Sequence, residues 1–515
     1  MNFLSPHALI ISLCFSLTLD AQEAKPKPKL SFETTADFLA LHVKGRAPAG
    51  TTALEYRLAE TGEIPDDAAW QKLSVALDPE SAFTTSLPLP QSVWSELEVR
   101  SLKGSETLAS KTTRVRPDQL DLLTPERLGA LPETQRQQWT AYLEKSRQRA
   151  AADFAALAQE CRSRGLPQSK PAPSGGQELE LDSDTPLDWF ATAEAQTLAD
   201  AVMSYQTPTG GWSKSVNYAE GKREVGTHWT SGKGDAWHYC GTIDNRSTTE
   251  QIKLLAGVYA ATQRADAQAA AQRGIDYLLE AQYPNGGWPQ NYPIESGYHE
   301  AITLNDNAML HVLEILLNLM ECRAPFTWAD TALQKRAGAA FQRGLDCLAA
   351  AQVRVKGQLT VWCAQHDPLS LAPVRARAKE PPSLSGSESA EFIKFLMRKA
   401  PITEQTTAMI ESALAWLDAH RVTGLRKTKN AQGKTDYVSD PSSQEVYWAR
   451  FYEVETAKPM FAGAQDGIVY ATFSEMAAKN KVAYDFLTTK PGELLSKERP
   501  RWQQRLEKAK KAARP

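Results

Sequence analysis

A block of sequence that returns after 70 residues sets the architecture of this chain. Gln272-Arg273-Gly274-Ile275-Asp276 recurs as Gln342-Arg343-Gly344-Leu345-Asp346. Each copy lies in an Ala/Leu-rich stretch that closes on a glutamine, Gln282 or Gln352, and a weaker third copy closes on Gln206. Gly/Pro or Lys/Gly loop residues follow each glutamine, and then a tryptophan, Trp212, Trp288 or Trp362. Units of about seventy residues each hold two helices, and such units bury their apolar faces by stacking on one another. The expected fold is therefore mainly α, an (α/α)3 toroid or incomplete α-barrel of about three helical hairpins spanning residues 186–494, with long functional loops at one end.

The rest of the 515 residues reads as smaller modules. Residues 31–117 carry short alternating stretches such as Phe38-Leu39-Ala40-Leu41-His42-Val43, broken by Pro, Gly and Asp, which predicts a small β-sandwich of the fibronectin-III or immunoglobulin kind. Residues 118–166 are rich in Ala, Glu, Gln, Arg and Leu and predict a helical connector; residues 22–30 and 167–185 read as linkers, and 495–515 as a basic, solvated tail. The apolar run from Phe3 to Leu19 is too short to cross a bilayer comfortably and reads as a signal peptide over 1–21, implying a secreted or periplasmic protein without a membrane span. Lys and Arg (58) nearly balance Asp and Glu (61), so no global field gathers nucleic acid, although a local basic cleft can still hold a polyanion. The five cysteines left after Cys14 are scattered and odd in number, which excludes a disulfide framework or a structural zinc site. A monomer is expected.

Polar residues that a core does not need cluster in the repeat loops. Thr242-Ile243-Asp244-Asn245 opens one apolar helix and Ile302-Thr303-Leu304-Asn305-Asp306-Asn307 opens the next. Either aspartate alone is most simply a helix N-cap. Two equivalent loops at one end of a ring instead converge hard oxygens of the kind Ca²⁺ takes, with an acidic substrate supplying the missing ligands. Lys214, Arg375, Arg377 and Arg450 would surround that site, and Arg450, set among aromatic and apolar neighbours, needs a partner for its charge.

Eight motifs in order, Gly-Gly-Trp-Ser-Lys (210–214), Thr-Ile-Asp-Asn (242–245), Gly-Gly-Trp-Pro-Gln (286–290), Ile-Thr-Leu-Asn-Asp-Asn-Ala (302–308), Trp-Cys-Ala-Gln-His-Asp (362–367), Ala-Arg-Ala-Lys-Glu (376–380), Leu-Ser-Gly-Ser-Glu-Ser (384–389) and Trp-Ala-Arg-Phe-Tyr-Glu (448–453), resemble the pectate lyases of polysaccharide lyase family ten. The resemblance covers about 300 residues and leaves out the first 180. It implies a calcium-dependent β-elimination on polygalacturonate, with Asp244 and Asp306 holding Ca²⁺ and Arg377 as catalytic base. Lys214, Arg450, Arg375, Asn245 and Trp288 form the expected substrate-binding set. This chain departs from the family pattern at Arg246, Ser213 and Lys379, the last standing where an aromatic is usual.

The reaction makes chemical sense on its own terms. A cation on the uronate carboxylate acidifies the C5 proton beside it by stabilising the charge that develops. A base built from arginine needs neighbouring cations to favour its neutral form, a role expected of Ca²⁺, Arg375 and Lys379. Two rival readings remain: a toroid that binds uronate without turning it over, and a terpene-cyclase-like toroid, since Gln206 to Trp212 and Gln282 to Trp288 both fit Gln-x-x-x-Gly-x-Trp. The second lacks any Asp-x-Asp-Asp motif to protonate a terpene.

Overall fold

The computed structural model describes residues 28–512 except 37–39, 60–63, 89–94, 116–120, 176–178, 182–183, 232–240, 296 and 378. The expected signal peptide and Cys240 lie outside the described residues. No described helix is long and apolar enough to cross a membrane.

Among the described residues, seven strands form the first region: β1 (Ser31–Ala36), β2 (Ala40–Arg46), β3 (Ala53–Leu58), β4 (Gln71–Lys72), β5 (Ala82–Pro88), β6 (Ser95–Lys103) and β7 (Glu106–Val115). They make two antiparallel sheets, ordered β1-β2-β5 and β4-β3-β6-β7. Alternate residues such as Leu41, Val43, Leu54, Phe83, Leu97 and Val99 point into one shared core, as period-two patterning requires. Ala301 and Val374, from the helical region, close the end of that core.

Two helices follow, α1 (Pro125–Gly129) and the 31-residue α2 (Glu133–Ser163). The connector is bound tightly along its length. Trp139 packs on Tyr283 with ring centroids 4.8 Å apart, Tyr142 donates to the Ala281 carbonyl, Arg149 grips Glu280 with two nitrogens, and Glu160 holds Arg223. Arg127 pairs with the buried Asp367 at 2.8 Å. The expected linker at 167–185 also differs from expectation: Ala172 N–H donates to Thr230, and Lys170 and Ser174 bridge to Thr227 and Val216. Pro/Ser/Gly composition marks an extended segment equally well whether it is free or laid along a neighbour.

The helical region comprises α3 (Ala193–Ser204), α4 (Thr249–Thr262), α5 (Ala265–Ala281), α6 (Ala308–Met320), α7 (Thr331–Ala351), α8 (Gly386–Arg398) and α9 (Glu404–Ala419). Consecutive helices pack as the pairs α4/α5, α6/α7 and α8/α9, while α4 meets α6, and α7 meets both α5 and α9. In α6, 10 of 13 residues are buried, against 9 of 21 in α7, which makes α6 an inner helix and α7 an outer one.

The repeated sequence block is the fastening between units. Gln206, at the end of α3, donates its amide to Gly210 and to Ala270 of α5, while its oxygen accepts from Arg273. Gln282 repeats this with Gly286, Ala340 and Arg343, and Gln352 with Thr360 and Met409. A Cβ at Gly274 would sit 2.6 Å from Ile252 and 2.9 Å from the Trp212 ring; at Gly344 it would sit 2.7 Å from Leu313 and 3.0 Å from Trp288. The glycine of each block makes room for the preceding unit's tryptophan. The C-terminal tail departs from a simple solvated end: the helix Arg499–Ala512 buries Trp502, whose indole donates to Glu411.

Candidate active site

The tryptophans fix the loops that carry the polar residues. The indole N–H groups of Trp212, Trp288, Trp362 and Trp448 donate to the carbonyls of Val202, Leu278, Leu348 and Leu417, near the ends of α3, α5, α7 and α9. Four loops thus share one anchor, one more than the sequence spacing discloses. Trp288 is fully buried, so it is a structural anchor and not the substrate-binding platform expected of it. An aromatic beside two glycines looks like a sugar-stacking surface, but its recurrence in each unit marks it as core.

Beyond each anchor the backbone is also shared. Carbonyls of Trp212, Trp288 and Trp362 accept from Thr242, Thr303 and Ser385; carbonyls of Gln290, Ala364 and Arg450, each two residues past a tryptophan, accept from Ile243, Leu304 and Gly386. These bonds set the register between the two acidic turns: Asp244 corresponds to Asn305, and Asn245 to Asp306. The backbone angles agree, since Asn245 (φ 48°, ψ 41°) and Asp306 (φ 50°, ψ 27°) both occupy the left-handed region inside short 3-10 turns. Such conformations in non-glycine residues gather at functional sites. The N-caps of α4 and α6 are Thr248 and Asn307, so neither aspartate serves as the cap that a bland reading assigns it. The two turns lie side by side.

Lys214 and Arg450 hold the same position, two residues past Trp212 and Trp448. Lys214 Nζ bonds Asp244 Oδ2 in a buried ion pair, and Asp244 Oδ1 is buried with no hydrogen-bond partner among the described residues. Arg450 bonds the buried Glu388, donates to Asn305 Oδ1 at 3.1 Å and lies 3.5 Å from Asp306. Burial disfavours the Arg450 charge, but Glu388 with Tyr484, Asp306 and Glu380 outweighs it and keeps the guanidinium firmly protonated. Asp306, by contrast, exposes 39% of its side chain.

A tight turn at 376–380 supplies the third group. Across it the Ala376 N–H donates to the Glu380 carbonyl and the Glu380 N–H to the Arg377 carbonyl, and the Arg377 guanidinium grips Glu380 through Nε (2.9 Å) and Nη2 (2.8 Å). Arg377 Nη2 also donates to Tyr484 Oη at 3.1 Å, and that hydroxyl in turn donates to Glu380. Burial alone would push the Arg377 pKa down, yet the Glu380 carboxylate drives it up. The neutral form is thus disfavoured, contrary to the expectation from Arg375 and Lys379, because a buried carboxylate at bidentate distance outweighs cations farther off. Arg375 is half-buried on the segment entering the turn.

Tyr484 gathers these groups. Its ring lies 4.0 Å from the Arg450 guanidinium carbon and 4.4 Å from Lys379 Nζ. Burial and the nearby Glu380 hold its hydroxyl protonated. Arg377, Lys379, Arg450 and Asp306 are thereby brought into one cluster, with Lys214, Asp244 and Asn245 on the adjoining turn. Arg246 turns aside to pair with Glu180, and Ser213 is buried. Glu380, Glu388 and Tyr484 carry no sequence signal as partners, being conspicuous only as acids within the motifs and an aromatic far downstream. No group of three or more His, Cys, Asp or Glu side chains suited to a metal occurs among the described residues.

Comparison with known proteins shows what the chain is similar to. Family 10 polysaccharide lyase from Cellvibrio cellulosa is 30% identical with a TM-score of 0.51, over 62% of this chain and 97% of its own. An aspartate-to-alanine mutant of that lyase, in complex with trigalacturonic acid, is likewise 30% identical with a TM-score of 0.51, over 60% of this chain and 95% of its own. No curated protein matches the chain. The family model for pectic acid lyase matches residues 206–495, from the first fastening glutamine to the C-terminal helices, and the chain belongs to that family.

Proposed function

We propose that this polysaccharide lyase cleaves de-esterified polygalacturonate by calcium-dependent β-elimination, releasing 4,5-unsaturated oligogalacturonates. The observation that carries the reading is Asp244: a buried carboxylate with Lys214 on one oxygen and, among the described residues, no hydrogen-bond partner on the other, beside the exposed Asp306. Unpartnered buried oxygens are rare because each forfeits its hydration, and a cation beside it resolves the cost. Two carboxylates and the Asn245 amide fit Ca²⁺ by donor type but fall short of six to eight ligands, so oxygens of an acidic substrate would complete the shell. When bound there, Ca²⁺ would supply acidity at C5 by neutralising the substrate carboxylate.

The chain's own residues do the rest. Arg377, clamped by Glu380, presents a fixed charge toward the group that becomes negative, and Arg450, clamped by Glu388, does the same at the neighbouring position. Lys214 and Arg375 extend the basic lining along a uronate chain. The order of helical pairs supports an incomplete (α/α)3 toroid with this site at its loop end. The test is absorbance of the unsaturated uronate on adding polygalacturonate, with EDTA and then with calcium restored. New reducing ends without that chromophore overturn the reading, and binding of oligogalacturonate without turnover would favour a non-catalytic uronate-binding protein.

A further inference from the structure

Asp367 ends the motif Trp-Cys-Ala-Gln-His-Asp, which the chemistry above leaves unused, and the cation that meets it comes from the N-terminal connector. The Asp367 side chain is wholly buried; Arg127 of α1 donates from Nη2 to Oδ1 at 2.8 Å and places Nη1 2.8 Å from Oδ2. The same carboxylate folds the chain that follows it, since Oδ1 also accepts from the Leu369 and Ser370 N–H groups and from the Ser370 hydroxyl. Backbone bonds close the loop: the Asp367 N–H donates to Ala372, Leu371 donates back to Asp367, and Val374 donates to Gln365. Burial holds the neighbouring His366 neutral, its pKa lowered to about 4; Nε2 accepts from the Cys363 N–H, which leaves Nδ1 to donate to the Leu371 carbonyl.

Both sides of the candidate site grow out of this loop. Gln365 and His366 pair with Thr303 and Ile302, the short strand that runs into Asp306, and the Ala364 carbonyl accepts from Leu304 and Asn305. At the far end of the loop Val374 is buried in the core of the β-sandwich, and Arg375 and the Arg377 turn follow directly. The connector holds the Asp306 side as well: Glu300 accepts from the Leu122 and Leu123 N–H groups, while Arg127 donates to the Leu122 carbonyl. Leu122, Ala301 and Val374 meet in the one sandwich core.

We propose that Arg127 is a positioning residue for the reaction: by bridging Asp367 and Leu122 it fixes the 367–374 loop against the β-sandwich and so sets where Arg377 stands relative to Asp306. Resting on the β-elimination reading above, this makes the first region part of the working enzyme, although Arg127 lies outside residues 206–495. Arg127 acts through Asp367 and touches neither Arg377 nor Asp306. A planar guanidinium can make both of its bonds at once, which an ammonium cannot. Without it Asp367 is a buried carboxylate short of its counter-charge, and the loop has to open to hydrate it. A shift of about 1 Å at a reacting group costs on the order of 100-fold in rate.

Arg127→Ala in the full chain is expected to lower kcat by about 100-fold while KM stays within about threefold, because Lys214 and Arg450 keep their own carboxylate partners. Arg127→Lys keeps the charge at Asp367 but reaches one partner instead of two; it is expected to lose about tenfold in kcat, and it carries the test if the alanine variant does not fold. Hydrogen exchange reads the same effect without turnover. The Ala376 and Glu380 N–H groups, both bonded across the Arg377 turn, should exchange at least about tenfold faster in either variant, while the amides of α8 keep their wild-type rates. Arg149→Ala, which releases the same connector from Glu280 of α5, should keep kcat within about twofold. Wild-type kcat in a folded Arg127 variant overturns the proposal, and so does a raised KM at unchanged kcat. Exchange that quickens equally in α8, or an Arg149→Ala loss as large as that of Arg127→Ala, overturns it by making Arg127 a general support of the fold. Absence of the unsaturated chromophore from wild type defeats the lyase reading instead, and the exchange rates then still decide whether Arg127 holds the turn.

Discussion

Lys214 and Arg450 occupy the same position beyond the first and last repeat tryptophans, but their carboxylate partners sit in different surroundings. Arg450 is held from several sides, since Glu388, the Asn305 amide oxygen, Asp306 and the Tyr484 ring all face it, although its Nε is buried with no hydrogen-bond partner among the described residues. At the Lys214 end it is the carboxylate that is short, because Asp244 keeps a buried oxygen with no hydrogen-bond partner among the described residues. One backbone device thus serves two ends. One end holds an arginine in place, and the other leaves the buried oxygen that the proposed cation would complete.

The comparison is most exposed at Arg450. Arg450→Ala strands the buried Glu388 and should cost about 3–5 kcal/mol of stability along with nearly all turnover. Urea unfolding and kcat/KM measure the two losses, and calcium should restore neither. An unchanged unfolding midpoint would show that Glu388 is satisfied without Arg450.

Lys214→Ala strands Asp244, and should cost roughly 3 kcal/mol in EDTA. Calcium at a hundredfold over its Kd should return about 2.7 kcal/mol. Equal losses with and without calcium would remove the distinction between the two ends.

Glu300 sharpens the contrast from outside, as a buried acid with no ion pair among the described residues. Burial raises its pKa to about 8 although the Leu122 and Leu123 N–H groups donate to it. The folded state then binds its proton more tightly than the unfolded chain, so its contribution is fully present below the unfolded pKa of about 4.3 and is lost as pH rises toward 8. Glu300→Gln should flatten this dependence, gaining up to roughly 4 kcal/mol on wild type between pH 5 and pH 9 in chemical denaturation. Parallel stability profiles for the two proteins would argue that Glu300 stays ionised.

The smallest effect is expected at a middle loop, which has the tryptophan anchor but no cation two residues on. Trp288→Phe loses its bond to Leu278 and should cost about 1–2 kcal/mol. The KM for polygalacturonate should not change; a weakened KM at equal stability would return Trp288 to the substrate-binding set.

How much of this was legible in the sequence follows the range of the interactions. The fastening block and three of its tryptophans recur at regular spacing, so the stacked helical pairs could be read directly. Trp448 escaped because 31 residues separate it from Leu417, whose carbonyl it bonds. The Asp-Asn pairs were legible as a pair of turns but not in register, since only backbone bonds show that Asp244 matches Asn305. Arg450's need for a partner was evident from its apolar neighbours, but Glu388 lies 62 residues away. Tyr484, 107 residues from Arg377, carries no local signal at all. The connector's grip on the helices was hidden for a related reason, since Glu280 and Arg223 look like ordinary surface charges until α2 is laid beside them.

The indole anchors also decide where this chain can grow. Trp212 and Trp288 each reach back 10 residues to a helix-end carbonyl, Trp362 reaches back 14, and Trp448 reaches back 31. The longer spans hold hairpins, Arg354–Val355 with Gln358–Leu359 and Leu425–Lys429 with Thr435–Ser439. Because the tryptophan bonds the helix end and not the loop, added length bulges outward and the residue two positions later keeps its place. The hairpin at 425–439 is thus a graft site in plain terms: segments inserted at its Gln432-Gly433 tip would change what the surface presents and leave Arg450 in its place beside Glu388.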